Sequence, residues 1–248
     1  MNDPTDRGES VDIERVKGFY NTEEIWDPKD KWHSYTKTAI QLFIDNFFKR
    51  VINGQRMNIL NAGSAGNNYG LLNHEQLHVD IADKKLKDIP NSMVANIEKL
   101  PLSKKEFDLC LCVGSVINYC DAFKALGEFS RLVKKDGWLI LEFENSRCFE
   151  YVFQPGFGQE AVIVETFYKG SKERLWAYSE GYIKRILRHY GFRIISMERF
   201  HILSSLVYRI SKKPNFSALF SSIDPVLKRI PFLNLFCSNI ILVCEKMV

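Results

Sequence analysis

The sequence predicts an α/β protein built on one open, doubly wound sheet. Short apolar runs alternate with amphipathic helical stretches from Met57 onward, the pattern of strands and helices taking turns. One run, Phe107 to Val113, is almost wholly apolar, as a parallel strand covered on both faces must be. At 248 residues the chain suits one substantial domain with room for an insertion. An apolar share of 46% and a charged share of 26% belong to an ordinary globular chain. The formal charge of +4 is too small for the basic footprint of a dedicated nucleic-acid binder, so no nucleic-acid partner is expected.

Residues 1 to about 18 carry charge without an apolar period and are expected to form a mobile tail. Their polar, acidic start does not have the pattern of a signal peptide. An aromatic-rich segment comes next, with Phe19, Tyr20, Trp26, Trp32 and Tyr35. Between Thr36 and Val51, Ala39, Ile40, Phe43, Ile44, Phe47 and Phe48 recur at three- and four-residue steps, which predicts a helix stopped by Asn53-Gly54. Strands are expected at Met57–Asn61, Leu77–Ile81, Met93–Ile97, Phe107–Val113, Trp138–Phe143, Phe192–Glu198 and Asn239–Cys244. Helices are expected at Ala122–Val133 and Glu180–Tyr190, the second ended by Gly191. The apolar stretch Ile230 to Cys244 is broken by Pro231, Asn234, Ser238 and Asn239, and is too short and polar to span a bilayer. Six cysteines form no CxxC pair, and no histidine stands at zinc-ligand spacing. They read as reduced structural thiols of a cytoplasmic protein, with no metal site.

In a sheet of this kind a ligand sits beyond the carboxyl ends of the central strands, where strand order reverses. The loop after the first strand, Asn61-Ala62-Gly63-Ser64-Ala65-Gly66-Asn67, is built of small residues that let a ligand approach the backbone. Asp80 ends the second strand, where a carboxylate can accept both hydroxyls of a ribose. A glycine loop and an acid at a strand end are each common. Joined to the segments on their C-terminal side, they become a rarer pattern.

Asn96-Ile97-Glu98-Lys99-Leu100-Pro101-Leu102 leads into Glu106-Phe107-Asp108-Leu109-Cys110-Leu111-Cys112-Val113. Beyond it stand Leu126, Glu128, Arg131, Leu132, Lys135, Asp136, Gly137, Leu139 and Asn145, then Leu187, Gly191, Phe192 and Ile194. From about Met57 to Glu198 this register resembles the class I S-adenosylmethionine-dependent methyltransferases. The resemblance implies a Rossmann-like doubly wound seven-stranded sheet with the last strand antiparallel, and S-adenosyl-L-methionine as cofactor. Position by position, it implies that Gly63, Ser64 and Gly66 lie beneath the methionine part. Asp80 would hold the ribose, Ile81 would pack on the adenine, and Asn96 and the Ile97 backbone would meet the adenine edge. Val113, Gly114 and Ser115 would line the methionine end. The chain departs from the pattern at Asn61, where relatives carry an acid, and at Ala65 and Asn67, where they often carry glycine. The helices after the first loop and after Asp80 are expected to shrink to about two turns each.

Residues 1–54 are then a tail and helical lid, and 55–248 the methyltransferase core with 200–237 as a helical insertion or cap. Tyr20, Trp32, His33 and Tyr35 are lid candidates, with Tyr20, Trp32 and Asn61 also expected against the cofactor; Trp26 reads as core. His33 and His201 are the histidines expected on the acceptor side. Glu142, Glu144 and Asn145 end the fifth strand facing the same crevice, so His33, His201 and Glu144 are the catalytic candidates. The segment 200–237 interleaves Tyr208, Phe216, Leu219, Phe220, Ile223, Val226, Leu227, Ile230 and Phe232 with Arg209, Lys212, Lys213, Lys228 and Arg229. Packing of its apolar face on the sheet is the simpler reading, and compatible with a cap over the acceptor. A surface for a membrane-bound or lipid-linked acceptor, through peripheral membrane contact, is the alternative. Phe149 to Phe167 is expected to arch over the same site. The expected activity is methyl transfer to a small-molecule acceptor, a sugar or secondary metabolite. The alternatives are a lipid-linked or macromolecular acceptor, a non-catalytic binding protein of the same fold, and a nicotinamide-dependent oxidoreductase. That last one needs glycines where Ala65 and Asn67 stand.

Overall fold

The computed structural model describes residues 11–103, 106–168 and 171–248. Five strands, β1 (Asn58–Ala62), β2 (Glu75–Asp80), β3 (Ser92–Val94), β4 (Phe107–Cys112) and β5 (Val133–Glu144), run parallel. A separate antiparallel pair, β6 (Ala161–Tyr168) and β7 (Ser171–Tyr178), comes after them, and β8 (Phe192–Phe200) and β9 (Asn239–Lys246) complete the main sheet. Its order is β3-β2-β1-β4-β5-β9-β8, with β9 antiparallel to both neighbours. This is the seven-stranded, Rossmann-like sheet with its last strand reversed. The order turns back between β1 and β4, so the carboxyl ends of those strands open a crevice.

Helices cover both faces. They are α1 (Ile13–Thr22), α2 (Lys31–Phe47), the single turn α3 (Asp83–Leu86), α4 (Ala122–Leu132), α5 (Glu180–His189) and α6 (Leu203–Ser211). Leu126, Phe129, Ile183 and Leu187 of α4 and α5 pack on one face of the central strands, and Ile40, Ile44 and Phe47 of α2 pack on the other. Their starts are capped as the sequence allows. The side chains of Asp12, Asp30, Asp121 and Ser179 each accept a hydrogen bond from a backbone N–H of the first turn they precede. Beyond α2 the chain widens into a π turn, Phe48–Ile52, and left-handed Asn53 and Gly54 stop it.

Four expectations change. Residues 1–10 of the predicted tail lie outside the described residues, but Ile13 onward is helix, and its Val16 is buried against Tyr119, Tyr151 and Leu175. No helix follows the first loop. Ala65, Gly66, Tyr69 and Gly70 all take left-handed backbone within six residues, which no right-handed helix tolerates. The third strand ends at Val94 rather than Ile97; the Ala95 N–H still donates to the Asp80 carbonyl at 3.0 Å, and Asn96 and Ile97 lie beyond the strand. Instead of a simple arch, the segment after β5 runs through the loop 145–160 into the β6–β7 pair, whose Val164, Leu175 and Ala177 bury against α1.

Candidate active site

Two cavities meet at the carboxyl end of the sheet. The first, about 730 Å³, is lined by Gly63, Ser64 and Ala65 after β1, Asp80 and Ile81 after β2, Ala95, Asn96 and Ile97 after β3, and Val113 and Gly114 after β4. Ile13, Val16 and Tyr20 of α1, with Ile25 and Trp26, roof it. Gly63 cannot be replaced without cost: it sits at φ +73°, and a Cβ there would come within 2.2 Å of Val116. The glycine therefore makes room for Val116, which also lines the cavity. Asp80 is nearly buried, and its Oδ2 accepts from the Ala65 N–H at 2.8 Å and its Oδ1 from the Ala82 N–H at 2.8 Å. Burial raises its carboxyl above the usual carboxylate range, against these backbone donors, which lower it. Each oxygen keeps a further lone pair, so Asp80 can still accept from a diol.

Gly114 and Ser115 owe their place to Glu142. This fully buried carboxylate accepts from the Gly114 N–H at 2.9 Å, the Ser115 N–H at 2.6 Å and the Asn239 amide at 2.7 Å. Asn145 is likewise turned inward, its amide donating to the Arg147, Leu235 and Cys237 carbonyls. Both were expected to face the crevice. Both instead tie its walls together.

The second cavity, about 930 Å³, shares Tyr20, Ile25, Trp26, Gly114 and Tyr119 with the first. Its own lining includes Asp30, Trp32, His33, Ser115, Glu144, Glu150, Tyr168 and Tyr208. Asp30 caps α2 and also holds the His33 ring, with Oδ2 2.6 Å from Nδ1. Burial tends to raise the Asp30 carboxyl, but the hydrogen bond and charge of His33, with the backbone N–H groups, bring it below the usual range. With Nδ1 engaged by Asp30, Nε2 is the ring nitrogen left for another partner. Across the cavity, burial pushes Glu144 up to about 8 and Glu150 up to about 7. Repulsion between the two adds to the Glu144 shift, and the charges of Lys212 and Arg209 oppose that of Glu150. The Tyr20 hydroxyl donates to the Tyr119 hydroxyl at 3.0 Å on the shared wall.

The remaining expectations sort by position. Gly63, Ser64, Asp80, Ile81, Asn96, Ile97, Val113, Gly114 and Tyr20 come together around the first cavity. Asn61 does not reach it. Its buried amide donates to the Asn67 carbonyl and Gln76 Oε1, bracing the loop from beneath. Gly66 also lies outside the lining and packs against α3, where a Cβ would meet Ile89 at 2.9 Å. Ser115 and Trp32 line the second cavity rather than the first. His33 and Glu144 both line the second cavity. His201 lines neither: it is fully buried, stacked on Trp32 at 3.8 Å, with Nε2 2.9 Å from Thr36 Oγ1 and Nδ1 2.9 Å from Ser204 Oγ. Tyr35 also turns away, toward Asp224. Sequence reasoning overlooked Asp30, Glu150 and Tyr69, and placed Trp26 only in the core, whereas it packs on the core and walls both cavities. The spacing Asp30-x-x-His33 was a readable signal for the dyad; nothing marked Tyr69.

Residues 57–141 match the family model of a methyltransferase domain. No curated protein matches the chain. Among solved structures, a protein from Pyrococcus horikoshii OT3 aligns with a TM-score of 0.61 at 12% identity, covering 92% of this chain and 98% of that one. The 1,6-didemethyltoxoflavin-N1-methyltransferase of Burkholderia thailandensis, bound to 1,6-didemethyltoxoflavin and S-adenosylhomocysteine, aligns with a TM-score of 0.54 at 12% identity over 95% and 87%. The [4+2]-cyclase SpnF aligns with a TM-score of 0.55 at 13% identity over 85% and 82%. The matched segment runs from the start of β1 into β5 and contains the loops that wall the first cavity. Residues 57–141 of this chain thus match a methyltransferase domain, set in a Rossmann-like sheet that the methyltransferases among these solved structures share.

Proposed function

We propose that the chain transfers a methyl group from S-adenosylmethionine to an oxygen of a small polar acceptor, a sugar or secondary metabolite, held in the second cavity. The observation that carries this reading is the shared wall: Tyr20, Trp26, Gly114 and Tyr119 belong to both cavities, so ligands in the two would meet end to end. In the first cavity, Asp80 would hold the ribose and Ile81 and Ile97 the adenine, with Asn96 at its edge. The loop Gly63–Ala65 and Gly114 would cradle the methionine end, where Tyr69 adds a hydroxyl. The cofactor supplies an electrophilic methyl on a sulfonium. Displacement at such a methyl needs alignment and dryness more than acid or metal assistance. Tyr20 and Trp26 serve both, closing the cavities from the lid side.

His33 Nε2 would take the proton of the acceptor hydroxyl, and Asp30 would steady the imidazolium that forms. Glu144 and Glu150, held partly protonated near neutrality, suit hydrogen bonds to other hydroxyls of the acceptor. Among the described residues the lining contains three carboxylates and neither lysine nor arginine, which suits a hydroxylated acceptor and repels a phosphorylated one.

Radiolabelled S-adenosylmethionine, incubated with the protein and a fractionated cell extract, tests the acceptor class. Label is expected in polar small molecules; label confined to protein, nucleic acid or lipid would overturn it. His33→Ala should slow that transfer by about 10²–10⁴-fold while S-adenosylhomocysteine binding stays unchanged. Transfer at the wild-type rate would remove His33 from the chemistry.

A further inference from the structure

The C-terminal cap does not bury the apolar residues its sequence carries. After α6 it consists of short turns, among them the single-turn helices Pro214–Ser217, Asp224–Leu227 and Pro231–Asn234. Leu227 packs on the core, but Ile210, Phe216, Leu219, Val226 and Phe232 stand exposed. Among the described residues, eight of the seventeen exposed large apolar side chains fall within residues 210–235. Scattered exposed apolar residues are normal; a concentration of this kind marks an interaction surface.

The charge of the same segment is one-sided. Residues 200–237 carry Arg209, Lys212, Lys213, Lys228 and Arg229 against a single acid, Asp224, which is buried. The cap therefore accounts for the whole formal charge of +4. Lys212, Lys213, Lys228 and Arg229 are exposed; Lys228 reaches Glu198 at 2.7 Å. A second insertion joins the patch. Phe149 and Phe157 stack on Phe236, at 4.8 and 6.2 Å, and Phe236 meets Phe232 at 5.3 Å. At the tip of that loop Phe153 is 96% exposed and held at φ +63°, a backbone that a bulky residue rarely adopts.

We propose that this cap, with the Phe153 loop, docks peripherally on an anionic lipid bilayer. Apolar side chains would enter the headgroup boundary while the basic ones meet lipid phosphates, the two contributions that hold an interfacial surface on a membrane. Positive charge among exposed apolar groups favours this occupant over a second copy of the chain, because two copies would bring like charges together. No helix of the described residues is long and apolar enough to cross a membrane, so attachment is to one leaflet. Tyr208 and Pro214 of the cap line the second cavity, so docking would bring that cavity beside the lipid surface.

Co-sedimentation of the full chain with phosphatidylglycerol–phosphatidylcholine vesicles, against phosphatidylcholine alone, tests the proposal without any acceptor or methyl transfer. Its outcome is therefore independent of the proposed reaction. Binding should be confined to the anionic vesicles and weaken with salt. The variant Ile210→Ser/Val226→Ser/Phe232→Ser should bind at least about tenfold more weakly with an unchanged melting temperature. Lys212→Glu/Lys213→Glu should lose about tenfold or more by charge alone. Absence of binding to anionic vesicles would overturn the proposal, as would wild-type binding by both variants. A dimer in solution that the triple variant dissociates, with no vesicle binding, would assign the face to a second copy instead.

Discussion

His33 and His201 sit in opposite surroundings, one lining a cavity and the other buried away from it. His33 keeps about a third of its side chain exposed, at 30%, and Asp30 holds its Nδ1. His201 has both nitrogens engaged by hydroxyls and none of its surface exposed. Burial, helped by the charge of His33, pushes the His201 ring from its ordinary 6.5 down to about 3. Its folded value lies below its unfolded one, so between the two the unfolded chain binds a proton that the folded chain refuses. The stability present above about 6.5 is therefore lost progressively as pH falls toward about 3. Melting temperature measured across that window should fall on the acid side, and His201→Gln should lack the His201 share of the slope. An unaltered slope in the variant would mean that His201 does not set it. Sequence could name both residues but not separate them, since burial comes from Trp32 and Thr36 of α2 closing over a ring that lies far away in the chain.

At the level of elements, local pattern and long-range packing divide what can be read in advance. The seven strands follow from apolar runs alone, and the starts of α4 and α5 follow from Asp121 and Ser179 as caps. Capping and periodicity are written within a few residues of where they act. The first loop is different. Asn61 resembles a ligand-facing group in sequence, yet bonds to Asn67 and Gln76 turn it beneath the loop. The β6–β7 pair was obscured because its alternation runs beside aromatic loop residues, and its inner face finds a partner only in α1. Glu142 shows the same limit: a strand-end acid reads as functional, but three donors from two other segments surround it. Glu142→Ala would leave the Gly114 and Ser115 N–H groups and the Asn239 amide without their acceptor. A loss of about 3–5 kcal/mol in chemical unfolding is expected, with Glu142→Gln losing less. Equal, small losses in both variants would mean that Glu142 does not anchor the loop.

Over the whole molecule, the sheet reverses its order once, and both cavities open at that reversal. The core supplies the floor of the first cavity; α1 and Trp26 close it from outside the matched domain segment. This division explains why the lining of the first cavity was legible in the sequence and that of the second was not. Gly63, Asp80 and Asn96 stand at fixed offsets from strand ends, whereas Asp30, Glu150 and Tyr208 meet from three separate segments. It also separates the segment that matches the methyltransferase domain from the second cavity, whose lining comes mostly from outside that segment. Likeness to a [4+2]-cyclase as well as to methyltransferases shows the same sheet in proteins of different description.

Everything proposed for the reaction depends on the first cavity holding S-adenosylmethionine with Asp80 at its ribose, and calorimetric titration with S-adenosylhomocysteine probes that directly. One site per chain is predicted for the wild type. Asp80→Ala, checked by a melting curve because Asp80 also ties Ala65 and Ala82, should bind more weakly by about 1–3 kcal/mol. No binding by the folded wild type at millimolar ligand, or unchanged affinity in Asp80→Ala, would contradict that assignment.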